Sequence, residues 1–568
     1  MCTLHFALCT LHFAFKKGRK KSMDLARMLR VQEEYWGEVK KRQIQDPKSR
    51  WYGSYQDGSA DVIEAGLPLY VNENSKYYRN SEILERMERY IDFMLKAQRP
   101  SGLFTFWMCN IESPPDTGFM INSFSICLKL IEKYNFLELD SLKQKMITFL
   151  ERTIPAMITG GFHTPNHRWV MTAALGFLYE RFGDERLKER AFEFLAEGFD
   201  CNKYGEWAER SNVIYNACCD MYCYHIAEIF GVEEEAYSAI RRNLDMMQYM
   251  FHSDGTIVTE YSTRQDKGMR GYMCDKYTIA ACLMAVKDNN SFYAYLAEEA
   301  FKIATNFNLV MLYADLYKEQ FTSLPEPTPV PEQYTVLLNG ERKTTVPKQY
   351  SQCGDAVLRH RNGKLSVTVM AGQQDCMFMQ YGDARAYGIK FSVAWFGLGG
   401  ASFPGIEKID DVTYRLYTPI RGKYWQVFDK EFVKQFNGDF VQMPNDDRED
   451  INVVYDTIEI IIHLLPDGMD LEITMDDIPE VFAQLVCMFD LEGDVSGARK
   501  ESDFIFKLDD GTAVYERNGD CISVTATAGE HCQDVLRNDK LNEKAQNVIM
   551  NVLSPTKWKV ELRGYERK

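Results

Sequence analysis

The sequence lacks the signatures of several common protein classes. It contains no Walker-type phosphate loop, no dinucleotide-binding fingerprint and no nucleophile elbow, so it does not support a kinase, dehydrogenase or esterase function. Positive charge is also in deficit. The formal net charge of the 568 residues is −16, which argues against a nucleic-acid partner. The same charge disfavours a polyanionic substrate unless basic residues gather at the binding site.

The fifteen cysteines follow neither a disulfide framework nor a zinc-binding spacing. Their number is odd and most lie in apolar segments, which favours reduced thiols in a cytoplasmic protein. No secretory signal is predicted, because the basic run after residue 15 follows the apolar stretch instead of preceding it. That stretch is too short to span a bilayer, so no membrane partner is expected. We interpret residues 1–22 as an unstructured or spurious extension, with Met23 as the natural first residue.

Two kinds of hydrophobic periodicity divide the rest of the chain. Over residues 23–322 the spacing is helical; Asp184, for example, can cap a helix whose inner face carries Leu187, Ala191 and Phe194. Four prolines within residues 323–333 predict an extended linker. Over residues 334–568 apolar and polar residues alternate, and residues 457–475 predict two strands around a Pro-Asp-Gly turn. The predicted fold is multidomain: an α/α toroid of helical hairpins followed by an antiparallel β-sandwich.

The most informative segment for function is residues 160–169, with the sequence GGFHTPNHRW, directly before a predicted helix. Asn166 is a favoured helix cap, and capping alone explains an asparagine at this position. Capping leaves the adjacent His167, Arg168 and Trp169 unexplained, although a helix start projects them together. We therefore predict that this segment contributes to a functional site.

Two further clusters of polar residues precede later helices. Their site candidates are Glu206, Glu209, Arg210, Tyr215, Tyr261 and Arg264. A structural interpretation is available for each cluster. Ser211 or Asn212 can cap the helix that follows the first cluster, and Tyr215 can be a core residue. The charged residues of the second cluster can be solvated loop residues.

Together these segments supply the groups that β-elimination from a uronic acid requires. The sugar carboxylate must be neutralised so that the C5 proton becomes acidic, a base must remove that proton, and an acid must protonate the departing C4 oxygen. An amide such as Asn166 can hydrogen-bond the carboxylate, and His167 and Tyr215 carry titratable groups. A phenol needs nearby positive charge to act as a base, which the arginines of these segments can supply.

At these residues the sequence resembles the heparinase II/III-like polysaccharide lyases and the related alginate lyases. Their pattern is an Asn-His pair that opens a toroid helix, followed about fifty residues later by a catalytic tyrosine. Asn166, His167 and Tyr215 match it in type, order and separation. The resemblance implies Asn166 as the carboxylate neutraliser, His167 as the base or its partner, and Tyr215 as the acid/base. We expect the three to act on one sugar.

The same families also take a histidine or a tyrosine from the β-domain. His360, flanked by two arginines, and Tyr387 or Tyr381 are the candidates here. Some relatives hold a structural metal in this domain, but the few histidines show no recognisable ligand spacing, so we predict no metal and no cofactor. The expected partner is an anionic oligosaccharide or polysaccharide, cleaved to a 4,5-unsaturated uronate. The predicted substrate-binding residues are Trp107, Arg168, Trp169, Glu206, Glu209, Arg210, Tyr261, Arg264, His360 and Tyr387.

A glycoside hydrolase on the same kind of toroid is the first alternative. Such an enzyme needs a pair of carboxylates on either side of the scissile bond. The available carboxylates are Glu206, Glu209, Glu260 and Asp266.

A non-catalytic saccharide-binding protein is the second alternative. It would keep aromatic residues such as Trp107, Trp169 and Trp207 in its cleft but tolerate the loss of His167 and Tyr215.

Overall fold

The computed structural model describes residues 21–54, 61–340 and 355–567. Residues 1–20 of the predicted N-terminal extension lie outside this range. The chain divides into two units that are not continuous in sequence. The first runs through Phe199 and also contains Ala217–Leu244 and Met273–Val330. The second contains Asp200–Asn216, Asp245–Tyr272 and the chain from Pro331 onward. The sequence-based domain boundaries stay a prediction.

Thirteen α-helices occur in the described residues. Eleven of them lie wholly in the first unit, and the other two lie in it except for two residues at one end. The thirteen helices are α1 (Leu25–Arg42), α2 (Asp61–Val71), α3 (Ser81–Ala97), α4 (Pro114–Tyr134), α5 (Asp140–Thr159), α6 (Pro165–Phe182), α7 (Glu185–Leu195), α8 (Tyr215–Phe230), α9 (Glu233–Met246), α10 (Lys276–Lys287), α11 (Ser291–Ile303), α12 (Asn308–Leu316) and α13 (Lys318–Thr322). The first two residues of α8 and the last two of α9 belong to the second unit.

Local sequence explains where these helices begin and which of their residues are buried. The side chain of Asp184 accepts a hydrogen bond from the Arg186 amide and caps α7, and Leu187, Ala191 and Phe194 are buried, so this prediction is confirmed. The structural interpretation of Asn166 as a helix cap does not hold. The N-cap of α6 is Thr164, and Pro165 occupies the first helical position, where its fixed φ and missing N–H carry no penalty. Asn166 is therefore not explained by capping.

Strands dominate the second unit. The described strands are β1 (Phe104–Phe106), β2 (Asn110–Ser113), β3 (Gln333–Leu338), β4 (Val357–Asn362), β5 (Leu365–Met370), β6 (Met377–Tyr381), β7 (Ala384–Val393), β8 (Gly399–Gly400), β9 (Glu407–Lys408), β10 (Thr413–Trp425), β11 (Asp450–Leu465), β12 (Gly468–Met475), β13 (Phe482–Phe489), β14 (Asp494–Ser496), β15 (Arg499–Lys500), β16 (Ile505–Lys507), β17 (Asp510–Arg517), β18 (Asp520–Thr527), β19 (Gln546–Leu553) and β20 (Thr556–Glu566). Strands β1 and β2 form a hairpin in the first unit.

The remaining strands form an eight-stranded and a ten-stranded sheet. The eight-stranded sheet has the order β14-β17-β18-β20-β12-β11-β10-β9. The ten-stranded sheet has the order β15-β16-β19-β13-β7-β6-β5-β4-β3, with β8 beside β7. The described strand pairs are antiparallel except for β16 with β19.

One hydrophobic core lies between the two sheets. Val367 and Phe391 of the ten-stranded sheet and Ile460 and Leu471 of the eight-stranded sheet belong to the same buried cluster. The predicted Pro-Asp-Gly hairpin is confirmed: β11 and β12 pair from Leu465 opposite Gly468, and their apolar residues face the core on alternate positions. The predicted fold class, a helical toroid-type domain followed by an antiparallel β-sandwich, is confirmed.

None of the helices in the described part of the chain combines the length and apolar character that crossing a bilayer requires. Twelve cysteines fall in that part, and all twelve are free thiols.

Candidate active site

The predicted Asn-His pair lies in the first turn of α6. Asn166 is 1% exposed, and its Nδ2 donates a hydrogen bond to Thr164 Oγ1 at 3.3 Å. His167 is 8% exposed, with its ring edge-on to the His163 ring at 4.8 Å and to the Phe119 ring at 6.1 Å between centroids. The amide and the imidazole are thus held in defined positions by their neighbours in the first unit.

The next two residues of α6 pack into the first unit. The Arg168 guanidinium forms an ion pair with Glu197 at 2.8 Å and lies 4.4 Å from the Trp169 ring centroid. Trp169 has no exposed surface, and its ring stacks on Phe199 at 4.8 Å. Because both faces of the indole are covered by protein, Trp169 is placed to stabilise the helix start and not to stack on a sugar.

A cavity of about 530 Å³ lies within the first unit. Phe119, whose ring contacts His167, lines it, and so does Asn122, whose Nδ2 donates to the carbonyl of Val170 in α6 at 3.1 Å. We call it the helical cavity. The buried Oδ1 of Asn122 has no hydrogen-bond partner among the described residues. The start of α6 is therefore joined through α4 to a wall of the helical cavity.

The helical cavity is mixed in charge. Three carboxylates, Glu64, Asp116 and Asp275, and the ammonium of Lys276 line it. Tyr222 lines it too, and burial raises the pKa of that phenol well above its ordinary value, so Tyr222 stays protonated near neutral pH.

The second group of predicted residues lies in the second unit, on the loops Asp200–Asn216 and Asp245–Tyr272. Tyr215 is the first residue of α8, and its backbone N–H donates to Ser211 Oγ at 3.2 Å. Its hydroxyl donates to Gln265 Oε1 at 3.2 Å, and the Arg264 guanidinium lies 5.0 Å from its ring centroid. The ring is partly exposed. An accessible phenol beside a cation is what proton transfer to or from a substrate requires.

Arg264 also forms an ion pair with Glu209. Its Nε lies 3.4 Å from Glu209 Oε2, so the guanidinium is positioned between a buried carboxylate and the Tyr215 ring. This arrangement fixes a positive charge next to the phenol.

A buried ionic network lies in the same unit. Arg210 Nε is 3.2 Å from Glu206 Oε1, and the two side chains are 3% and 2% exposed. Asn339 Nδ2 donates to the other Glu206 oxygen at 2.8 Å. Burial raises the pKa of Glu206, against the opposing effects of Arg210 and Asn339. Glu206 and Arg210 are engaged with protein groups, which favours a structural role for both.

Tyr261 belongs to this buried network. It is 1% exposed, its hydroxyl accepts from Asn212 Nδ2 at 3.0 Å and donates to Met250 Sδ at 3.3 Å, and the Arg210 guanidinium lies 4.7 Å from its ring. Burial raises the pKa of Tyr261 far above its ordinary value. Tyr261 is a protonated core phenol and not an accessible acid or base.

The β-domain candidates lie elsewhere in the second unit. His360 on β4 is 9% exposed, its Nδ1 is 2.8 Å from Thr335 Oγ1, and burial lowers its pKa. The hydroxyl of Tyr387 on β7 accepts from Asn542 Nδ2 at 2.7 Å, and burial raises its pKa. Among the hydrogen bonds of the described residues, neither His360 nor Tyr387 is bonded to Tyr215.

Sequence reasoning named Glu260 only as an available carboxylate and missed its buried partner, His252, in the second unit. His252 Nε2 lies 3.1 Å from Glu260 Oε1, and its Nδ1 lies 2.9 Å from Ser366 Oγ. Burial alone would raise the pKa of Glu260, but the facing imidazole and two guanidinium groups outweigh it and hold that pKa at about 2. Glu260 is an ionised carboxylate buried in the protein.

Asn166 and His167 belong to the first unit and Tyr215 to the second, so their common action on one sugar stays a prediction. In the described ranges there is no group of three or more His, Cys, Asp or Glu residues arranged to hold a metal ion.

No protein-family model matches the chain, nor does any curated protein. Solved structures match it at low identity. A heparinase III is 10% identical with a TM-score of 0.51, over 98% of this chain and 87% of that one. The chondroitin AC lyase of Streptomyces coelicolor A3, solved with chondroitin sulphate, is 11% identical with a TM-score of 0.54, over 96% and 80%. A Paenibacillus xanthan lyase is 8% identical with a TM-score of 0.52, over 96% and 57%. The chain therefore has a heparinase-like polysaccharide-lyase fold.

Proposed function

We propose that the protein is a polysaccharide or oligosaccharide lyase that cleaves a uronic-acid-containing glycan by β-elimination. The observation that carries the proposal is Tyr215, an accessible phenol beside the fixed guanidinium of Arg264. Two further observations support it: the amide and imidazole at the start of α6, and a fold like those of structures named as polysaccharide lyases.

In the proposed reaction three tasks fall to these groups: charge neutralisation, proton removal and protonation of the leaving group. Asn166 hydrogen-bonds the uronate carboxylate, which lowers the cost of the negative charge that develops when the C5 proton leaves. His167, or Tyr215 assisted by Arg264, takes that proton. The electron pair of the C5–H bond forms the C4–C5 double bond, the C4–O bond breaks, and Tyr215 protonates the departing oxygen. No water is consumed.

The hydrolase alternative needs two carboxylates that can reach a substrate. Glu206 pairs with Arg210, and Glu260 pairs with His252; both carboxylates are buried. Asp266 accepts from Ser262 Oγ and from the Val213 amide at 3.2 Å and has no exposed surface. These engagements leave none of the three carboxylates available to a substrate.

The test is a panel of uronate polysaccharides and oligosaccharides, followed by ultraviolet absorbance. β-Elimination leaves a C4–C5 double bond conjugated with the carboxylate, so absorbance rises as chains are cut. Hydrolysis gives new reducing ends without that absorbance. Reducing ends without absorbance would support the hydrolase, and binding without either product would support the saccharide-binding protein. We also propose a cytoplasmic location, which suits short imported oligosaccharides as substrates.

A further inference from the structure

A second cavity of the first unit, of about 460 Å³, has walls unlike those of the helical cavity. We call it the tryptophan pocket; its walls include Arg50, Trp51, Phe93, Lys96, Arg99 and Trp107. Trp107 lies in the turn between β1 and β2, and Arg50 and Trp51 lie between α1 and α2. The other wall residues lie at the end of α3 or just after it.

The aromatic walls are fixed by contacts with one another. The Trp51 and Trp107 rings meet edge-on at 4.9 Å, and Trp51 also packs against Phe93 at 5.8 Å. Trp107 makes a further edge contact with Phe104 of β1 at 6.2 Å. Rigid indoles of this kind offer apolar area to the C–H faces of a sugar at low entropic cost.

The pocket is positively charged. The Arg50 guanidinium lies 5.0 Å from the Trp51 ring and 5.2 Å from the Trp107 ring, and that of Arg99 lies 5.5 Å from Trp107. Arg99 Nε donates to Thr105 Oγ1 at 3.2 Å. Within the described ranges, neither these two arginines nor Lys96 forms an ion pair, and no carboxylate lines the pocket.

Such a cluster is unusual in this chain, whose formal net charge is −16. Three cations gathered without a counter-charge among the residues that the structure describes repel one another, and an anionic ligand relieves that repulsion. Guanidinium groups held on aromatic rings are well placed to bind carboxylate or sulfate oxygens in pairs.

The hairpin that carries Trp107 connects the pocket to the helical cavity. Phe106 and Met108 line the helical cavity, whereas Trp107 between them lines the tryptophan pocket. One short hairpin therefore forms a wall of two cavities of different charge.

We propose that the tryptophan pocket is a second saccharide-binding site, which holds an anionic sugar unit of a substrate chain. The indoles contact the sugar ring and the three cations bind its carboxylate or sulfate. The choice of a saccharide over another anion rests on the proposed function. The site predicts that longer anionic chains bind more tightly than short ones.

The experiment removes two exposed charges from the pocket in the full-length Tyr215→Phe protein, where cleavage is blocked. The pocket variant is Arg50→Gln/Lys96→Gln, and the matched control Arg30→Gln/Lys318→Gln removes the same charge from exposed positions of the same unit. Binding is measured by calorimetry and by tryptophan fluorescence. The probes are hexasaccharides of galacturonate, of chondroitin sulfate and of maltose units, together with inorganic sulfate and a single-stranded oligonucleotide.

We expect anionic hexasaccharides to bind about tenfold more weakly to the pocket variant, the factor that ~1.4 kcal/mol represents, and equally well to the control. Weakening with both anionic probes shows that a carboxylate suffices; weakening with chondroitin sulfate alone identifies sulfate as the anion. Both results support the site.

Four results would overturn it: unchanged affinity in the pocket variant, equal affinity for the neutral maltohexaose, equal affinity for inorganic sulfate alone, or preference for the oligonucleotide. Absence of binding by every hexasaccharide would do the same. The lyase proposal is judged separately, by the ultraviolet product of the unsubstituted protein. Lyase activity with unchanged binding in the pocket variant overturns only the second site, and weakened binding without any lyase product overturns only the proposed reaction.

Discussion

The surroundings of Tyr215 and Tyr261 differ although both residues belong to the second unit, Tyr215 as the first residue of α8 and Tyr261 on a loop. Tyr215 is partly exposed, with its hydroxyl on Gln265 and the Arg264 guanidinium beside its ring. Tyr261 is buried, with Asn212 donating to its hydroxyl and the Arg210 guanidinium against its ring. Each phenol therefore has an amide-bearing partner and an arginine.

Burial is what separates the two tyrosines. A buried phenol loses the solvation of its ionised form, which is why the pKa of Tyr261 is raised. Its arginine is paired with Glu206 in the interior, whereas Arg264 lies at the partly exposed ring of Tyr215. The comparison teaches that an arginine beside a phenol indicates proton transfer only where a substrate can reach the oxygen.

Removing the hydroxyl of each tyrosine in turn tests most directly which of the two takes part in proton transfer. Tyr215→Phe should lower turnover of a cleaved uronate substrate by a factor of ~100 to ~10,000, the usual cost of losing a general acid or base. Tyr261→Phe, the matched control, should keep near-normal turnover. The measurement is the initial rate of ultraviolet absorbance. A rate near normal for Tyr215→Phe together with a large loss for Tyr261→Phe would reverse the assignment.

The buried arginine should matter for stability more than for chemistry. Arg210→Met leaves Glu206 buried without its cation, and breaking a buried pair in this way costs about 3–5 kcal/mol of unfolding free energy. Urea unfolding measures it. The double variant Arg210→Met/Glu206→Gln should recover part of the loss, because the unpaired carboxylate is gone. A loss below about 1 kcal/mol for the single variant would show that the pair is hydrated.

The buried Glu260 should make the fold sensitive to acid. Its pKa of about 2 in the folded protein lies below the ordinary value of 4.5, so the ionised form stabilises the fold above pH 4.5. This contribution, on the order of 3 kcal/mol, is lost as the pH falls from 4.5 towards 2. His252 faces Glu260 and burial lowers the pKa of its imidazole, so the test removes both members of the pair. Unfolding free energies at pH 6 and pH 3 should therefore differ less in His252→Gln/Glu260→Gln than in the unsubstituted protein. Equal pH dependence in both proteins would contradict the role of this pair.

The smallest expected effect is a difference in unfolding free energy between the Tyr261→Phe and Tyr215→Phe variants. Tyr261→Phe removes a buried hydrogen bond and should lower the unfolding free energy by ~1 kcal/mol. Asn212 keeps a second bond, to the carbonyl of Val258 at 2.9 Å, which limits the loss. Tyr215→Phe should leave the unfolding free energy within about 0.5 kcal/mol, as expected for a surface substitution. Thermal or urea unfolding of the two variants side by side checks both values.

Much of the fold followed from local patterns. The helical stripe after Asp184 and the alternation on either side of the Pro-Asp-Gly turn depend on residues close in sequence, and both were predicted correctly. The interpretation of Asn166 as the cap of α6 fails because Pro165 takes the first helical position, which places the cap at Thr164. The residues of the candidate site were predicted from residue type and spacing, which do not indicate whether a side chain is buried.

The sequence by itself determined the succession of helices and strands, the chemistry of the Asn166, His167 and Tyr215 side chains, and the shortage of positive charge. Only the tertiary structure decided that Trp169 and Tyr261 are buried, that Tyr215 is accessible, and that three cations gather around Trp51 and Trp107. The physical reason is the range of the interactions. Periodicity is set by neighbours a few residues apart, whereas Asn339 reaches Glu206 across 133 residues of chain, and such contacts determine which side chains water and substrate can reach.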